Sequence, residues 1–411
     1  MSHDPLKIFE AYDRGRLTRR QLLYALGLGA GFAALPRHAT LLGQGQCGGA
    51  RAGTPDCDTT PAKLPFESTG WKTVRLNHFA IQVAEYGKEA AYYAALMNWK
   101  ARSDDGKQAI LDIGDWGGVV IRGGFEAPPA PAAPTPPAAP APPATPAPPA
   151  TPPAPPDAAA AGPGGQRGGG RGAPRPPRLV QIESFSWGIQ PWDAKKVEAE
   201  LRKRGLDPIP GTDKNAPSFR IKDPGGFSLE LTDGRVNPRS KPATGTLTAP
   251  APFESTGWKS VWLDHISFQV PNYKESVAFY QALLGWSPTK DEGSQNQMEI
   301  GDVGDIIVRR GGGGGAGRRG ADASTVTPQV VLPAPAPRPA QIDHIAFGIA
   351  PWDADKVKAE LDKRGLTARV DTGGRGDIHG AAYQSYHTTT PNGFDLQISF
   401  ATRENRSASI G

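Results

Sequence analysis

The sequence predicts an α+β fold of four βαβββ units, paired two and two into half-barrels that Pro/Gly-rich linkers join and interrupt. Three observations predict it. Pro65–His78 recurs at Pro252–His265, 187 residues later, with 11 of 14 positions identical. Gln181–Leu206 recurs at Gln341–Leu366, 160 residues later, with 17 of 26 identical. Within each half, strand-like alternation and helix-like spacing follow one another in the same order.

The elements follow from these patterns. Leu76–Val83 alternates as a strand, and Glu85–Trp99 has helical spacing through Ala91, Ala95 and Leu96. Gln108–Gly114 and Val119–Arg122 read as strands around a Gly-rich turn. The second unit opens with a strand at Gln181–Ile189. Asp193 can cap a helix over Ala194–Arg204, and Gly205 ends it. Strands near Pro208, at Ser218–Lys222 and at Phe227–Thr232 follow. Trp258–Arg310 and Ala340–Phe400 repeat the two plans. One unit of ~55 residues has an open sheet edge and little core of its own. Pairing two units supplies both and leaves a concave cup. The first strands of paired units are expected to face each other across it.

Composition sets the rest of the organisation. Gly and Pro make up 94 of the 411 residues, and they concentrate in residues 127–178 and 311–340. Residues 127–156 are Ala and Pro broken only by Thr135, Thr145 and Thr151, a composition that favours extended polyproline II and builds no core. The expected domains are therefore 66–234, with an insert at 125–178, and 253–400, with an insert at 311–339. The lack of a G-X-Y period excludes collagen. Two cysteines exclude a disulfide scaffold, and no apolar run reaches the ~18 residues of a membrane span. The net charge of +5 gathers largely in residues 1–37 and in linker arginines, so nothing calls for nucleic acid.

Residues 1–45 read as an export signal and its tail. Arg19-Arg20 precedes a 14-residue apolar stretch, Leu22–Leu35, too short to span a bilayer and of the right length for a signal core. The paired arginines resemble a twin-arginine signal, which implies a periplasmic or extracellular protein exported already folded. Cys47 and Cys57 follow in a polar tail, where either a local disulfide or two thiols is chemically allowed.

Polar residues fall at repeated places. Asn77-His78, Asp264-His265 and Asp343-His344 lie on the first strands of units one, three and four, with Glu183-Ser184 at the matching place in unit two. The last strands read Asp223-Pro224-Gly225-Gly226-Phe227-Ser228-Leu229-Glu230 and Thr390-Pro391-Asn392-Gly393-Phe394-Asp395-Leu396-Gln397. Together with the paired βαβββ plan, these motifs resemble the vicinal oxygen chelate superfamily of glyoxalases, bleomycin-resistance proteins and extradiol dioxygenases. The resemblance covers residues 71–124, 179–234, 258–310 and 340–400. It implies a metal ligand on the first strand of each unit and a carboxylate on the last strand.

The second half keeps the fuller set. Two imidazoles and one oxygen form a facial triad suited to Fe(II) or Mn(II), with positions left open for substrate. His265 and His344 take the histidine positions. Gln397 stands where the family has a carboxylate, and Asp395 shares its face two residues earlier. The first half has His78 and Glu230, but Ser184 replaces its second histidine. Asp305–Arg310 carries no carboxylate where a glyoxalase-type ligand is expected, which points to three ligands. The stretch Ile378-His379…Tyr383-Gln384-Ser385-Tyr386-His387 resembles the region where extradiol dioxygenases place a proton-handling His and Tyr. That makes His379 and His387 the catalytic candidates.

Three functions stay open. One is an exported metal-dependent enzyme, extradiol-dioxygenase-like, acting on a vicinal diol or enolisable compound. The second is a metal-free cup that sequesters a small molecule, as bleomycin-resistance proteins do, with Trp187, Trp192, Phe347 and Trp352 available for stacking. The third is an exported scaffold with Pro-rich arms.

Overall fold

The computed structural model describes residues 58–126, 178–213, 216–311, 340–373 and 376–405. The segment expected to be an export signal, Cys47, Cys57 and nearly all of both inserts lie outside the described residues. Unit one comprises β1 (Lys72–Val83), α1 (Tyr86–Met97), β2 (Lys100–Asp104), β3 (Gln108–Asp112) and β4 (Gly118–Arg122). Unit two comprises β5 (Val180–Gln190), α2 (Ala194–Lys203), β6 (Ile209–Pro210), β7 (Ser218–Lys222) and β8 (Ser228–Asp233). The second half repeats the order. Its third unit holds β9 (Lys259–Val270), α3 (Tyr273–Leu284), β10 (Ser287–Asp291), β11 (Gln295–Glu299) and β12 (Gly304–Arg310). Its fourth holds β13 (Gln341–Ala350), α4 (Ala354–Lys363), β14 (Arg369–Asp371), β15 (Ser385–Thr389) and β16 (Asp395–Ser399).

These are four βαβββ units in an α+β fold, as the repeats imply. Each half forms one eight-stranded mixed sheet, ordered β2-β3-β4-β1-β5-β8-β7-β6 and β10-β11-β12-β9-β13-β16-β15-β14. Local signals set the helix ends. The Asp193 and Asp353 side chains accept the backbone N–H of Lys196 and Lys356, capping α2 and α4. Strand β2 escaped the sequence pattern because Lys100–Asp104 does not alternate and holds no buried residue.

The first strands of paired units do not face each other across a cup. β1 and β5 are hydrogen-bonded antiparallel neighbours, as are β9 and β13. Each sheet is thus sewn together at its centre by the two longest strands. Their pairing register skips Asn77 and Glu183 in the first half and Asp264 and Asp343 in the second. A β-bulge at each of these residues lets two consecutive side chains approach the same face.

The two halves interlock through the repeated Pro-Phe-Glu-Ser-Thr-Gly-Trp segment, and each copy serves the other half. Thr69 donates its N–H to Ala282 O (3.0 Å) and its hydroxyl to Leu283 O (2.7 Å), satisfying carbonyls at the end of α3. Thr256 does the same for Ala95 O (3.1 Å) and Leu96 O (2.6 Å) at the end of α1. Phe66 packs edge-on against Phe279, and Phe253 against Tyr92. Gly285 ends α3 with φ +68°, and a Cβ there would lie 2.5 Å from Trp71 O. The left-handed turn and the close approach of the clasp both require glycine.

A buried carboxylate marks each junction between a helix of one half and a turn of the other. In one, Tyr280 OH on α3 donates to Asp223 Oδ2 (2.8 Å). In the other the acid sits on the helix: Asn392 Nδ2 donates to Glu89 Oε2 (2.8 Å), and Asn392 N donates to the same oxygen (3.2 Å). Burial pushes the Glu89 carboxyl above its ordinary range near 4.5, although hydrogen bonds from Asn392 oppose the shift. The folded state therefore holds its proton more tightly than the unfolded chain. That contribution is full below about pH 4.5 and is lost as pH rises through the folded-state pKa. Glu89→Gln removes the loss. The variant should unfold at a higher temperature than the parent, with a gap that widens from pH 5 to pH 8 in thermal melts. A gap that stays constant or narrows would contradict this.

Candidate metal centre

The sheet of the second half sets one row of residues side by side. His265 on β9 pairs with Ala346 on β13, Ala346 with Gln397 on β16, and Gln397 with His387 on β15. His344 lies two residues before Ala346 and pairs with Asp395. Residues facing each other across adjacent strands point to the same side. Register thus gathers His265, His344, Gln397, His387 and Asp395, all five from the sequence motifs.

His265 Nε2 and His344 Nε2 are 3.0 Å apart, with the rings at 78°. The bulges at Asp264 and Asp343 bring a carboxylate behind each ring. His265 Nδ1 lies 3.3 Å from Asp264 Oδ1, and His344 Nδ1 lies 3.0 Å from Asp343 Oδ2. A carboxylate only accepts, so each Nδ1 carries a hydrogen, and a ring that is neutral keeps its lone pair on Nε2. Burial lowers the pKa of His344 to about 4, against the opposing bond to Asp343, so this ring is neutral at physiological pH. Two imidazole nitrogens 3.0 Å apart then need a positive charge between them, a shared proton or a cation. Two nitrogens about 2.1 Å from one cation at a right angle are separated by about 3.0 Å.

Gln397 lies in the same cross-strand row, opposite Ala346. The residue is fully buried, and its Oε1 is a buried oxygen with no hydrogen-bond partner. An unpaired buried amide oxygen is costly, and a cation would satisfy it. Among the described residues no three His, Cys, Asp or Glu side chains converge as a cation site. The set that fits is two imidazoles and one amide. Asp305 pairs with His265 across β12, but its Oδ2 accepts Gln297 Nε2 at 2.9 Å.

The remaining predicted residues divide. Asp395 Oδ1 accepts Arg369 Nη2 (2.7 Å) and faces His387 Nδ1 (3.0 Å), so it pairs with cations of its own protein. His387 also faces Asp371 Oδ2 with Nε2 (3.3 Å). Burial alone would lower the His387 pKa, but its bonds to Asp371 and Asp395 and their charges outweigh burial and raise it. The bond from His387 holds the Asp371 carboxyl down to about 2. His387 is thus clasped between two carboxylates, one facing each ring nitrogen, an arrangement that favours its protonated form, and it lies 5.0 Å ring to ring from His344. His379 is not brought into the cluster. It lies on an exposed turn, 3.5 Å from Asp355 in the first turn of α4.

Sequence reasoning missed Asp264, Asp343 and Asp371 as partners of these histidines. The first two carried a signal: an acid directly before each strand histidine, which a regular strand would send to the opposite face. Asp371 ends a three-residue strand and carried none.

The equivalent row of the first half is His78–Ser186–Glu230–Arg220. His78 Nε2 is 3.7 Å from Glu230 Oε2, and Ser218 Oγ donates to Glu230 Oε1 (2.8 Å). Burial lowers the His78 pKa to about 4; Glu230 opposes this, while Arg239, Arg122 and Arg220 add to it. Arg239 bonds Asn77 Oδ1 (3.2 Å) and pairs with Asp112 (3.2 Å), its guanidinium lying against Gly118. By register, Asp264 and Asp305 occupy the places of Asn77 and Gly118 in the second half. The first half thus has the Arg239 guanidinium where the second has the carboxylates of Asp264 and Asp305.

Residues 262–398, which span this cluster, match the model of the Glyoxalase/Bleomycin resistance protein/Dioxygenase superfamily. The chain is also similar to solved structures. One is an Mn(II)-bound glyoxalase from Novosphingobium aromaticivorans, with 13% identity over 80% of this chain and 82% of that chain, at a TM-score of 0.47. A second is a catechol 2,3-dioxygenase, with 14% identity over 81% of this chain and 89% of that chain, at 0.48. A third is a homoprotocatechuate 2,3-dioxygenase from Arthrobacter globiformis, with 16% identity over 81% of this chain and 80% of that chain, at 0.46. No curated protein matches this chain. No helix among the described residues is long and apolar enough to cross a membrane.

Proposed function

We propose that the second half binds one divalent cation, Fe(II) or Mn(II), through His265 Nε2, His344 Nε2 and Gln397 Oε1. In this reading the protein is an enzyme acting on a small vicinal diol or enolisable compound. The observation that carries it is the pair of imidazole nitrogens 3.0 Å apart, with Gln397, whose buried amide oxygen has no partner, in the same cross-strand row. When bound, such a cation supplies a Lewis acid for a diol or enolate oxygen. The chain's own residues do the rest. Asp264 and Asp343 fix the ring tautomers and aim Nε2 inward. His387, held between Asp371 and Asp395, places a protonated imidazole beside the ligand pair as a proton donor. The surrounding sheet buries His265, His344 and Gln397 and limits the entry of water. Metal analysis of anaerobically purified protein supplied with Fe(II) or Mn(II) tests the reading. About one equivalent per chain is expected. No bound metal would overturn it and favour the metal-free binding cup.

We also infer export through the twin-arginine route, on the strength of Arg19-Arg20 and the short apolar stretch after them. That route carries folded proteins and suits a metal loaded in the cytoplasm. Arg19→Lys with Arg20→Lys should hold the protein in the cytoplasm, as read by cell fractionation. Unchanged export of the double variant would refute the inference.

A further inference from the structure

Gln397 is held by two hydroxyl groups whose protons are already placed. Ser385 Oγ donates to Asp371 O (2.8 Å), and Tyr383 OH donates to Asp264 Oδ2 (2.6 Å). Toward Gln397 both oxygens can only accept. They take Nε2 at 2.8 Å (Ser385) and 3.1 Å (Tyr383), and Asp371 Oδ2 lies 3.4 Å from the same nitrogen. Every oxygen around this end of the side chain therefore asks for an N–H. The amide has one orientation that satisfies them, and it leaves Oε1 as the free buried oxygen. A glutamate at 397 would set a carboxylate oxygen against two committed hydroxyls and a second carboxylate.

The same phenol reaches the other side of the centre. Asp264, which accepts its proton, faces His265 Nδ1 with its other oxygen. A single chain of hydrogen bonds thus runs Gln397–Tyr383–Asp264–His265 and joins two of the three candidate donors.

We propose that Tyr383 is a positioning residue that locks the Gln397 amide and the His265 ring into one arrangement, making an amide, and not a carboxylate, the third donor of this centre. The proposal rests on the metal reading above and specifies its donor set. Gln397 is then a built ligand and not the remnant of a lost one.

The test is Mn(II) titration of the full chain, with thermal melts of the metal-free protein as the check on folding. Tyr383→Phe should weaken Mn(II) about 10-fold, the size expected when a partner that orients a ligand is removed. Gln397→Glu should bind Mn(II) no more tightly than the parent, despite its added negative charge. Tyr383→Phe made in the Gln397→Glu background should not weaken Mn(II) further, and should strengthen it, because it removes a hydroxyl that opposes the carboxylate. A merely structural tyrosine would weaken both backgrounds equally. Equal weakening in both backgrounds, an unchanged Tyr383→Phe variant, or tighter binding by Gln397→Glu alone would each overturn the proposal. Parent protein that binds no Mn(II) would overturn the metal reading itself.

Discussion

Replacing His265 or His344 with alanine is expected to abolish stoichiometric metal, whereas His78→Ala leaves it unchanged. Removing a group that only orients a ligand costs about 10–100-fold in metal affinity, so losing one of three donors costs more. The contrast with His78 comes from charge. Around His265 and His344 stand Asp264, Asp343, Asp371 and Asp395, with Arg309 and Arg178 near Asp343, whereas His78 has one carboxylate, Glu230, against Arg239, Arg122 and Arg220. A divalent cation is drawn to the first environment and repelled by the second. The first half also lacks a second imidazole, since Ser184 takes the place of His344. Metal content by elemental analysis after gel filtration reads the outcome, with melts to show that the alanine variants remain folded. Metal lost equally from His78→Ala would move the centre to the other half.

The repeat made much of this legible. Two copies of each motif fixed the unit order, and the position of a histidine within one repeat located its counterparts. The offset of ten residues between His387 and Gln397 became a direct cross-strand pair, as it did for Arg220 and Glu230. Spacing could not show how the first strands meet. They were expected to face each other across a cup, and they lie side by side, because an antiparallel pair of first strands closes each half into one sheet. Nor could spacing show the bulges, which turn Asp264 and Asp343 toward the histidines that follow them. His379 was misplaced for a related reason. A histidine in an irregular loop has no register to fix its direction, and this one turns outward to Asp355. The reciprocal clasp was present in the sequence as its most strongly repeated segment. Repetition marked the segment as needed but could not reveal that each copy serves the opposite half.

Trp286→Ala is expected to destabilise both halves together. Trp286 follows α3 in the second half, yet its Nε1 donates to Thr73 Oγ1 (2.8 Å) on β1 of the first. Its ring stacks on Tyr280 at 4.6 Å and meets the edge of Trp187 at 5.4 Å. It is 2% exposed. Truncating a buried Trp costs about 3–5 kcal/mol, through lost burial and the cavity left behind. Thr73→Val keeps the shape but leaves the indole N–H buried without an acceptor, at about 1–3 kcal/mol. Trp99 repeats the arrangement in the opposite sense: it donates to Ser260 Oγ (2.9 Å), stacks on Tyr93 at 4.7 Å and meets Phe347 edge-on. Loss at either tryptophan therefore removes contacts from both sheets at once. Hydrogen exchange resolved by peptide distinguishes the outcomes. Faster exchange in β1 and β5 together with β9 and β13 is expected for Trp286→Ala. Faster exchange confined to the second half would mean that the clasp is a surface contact between independently stable halves.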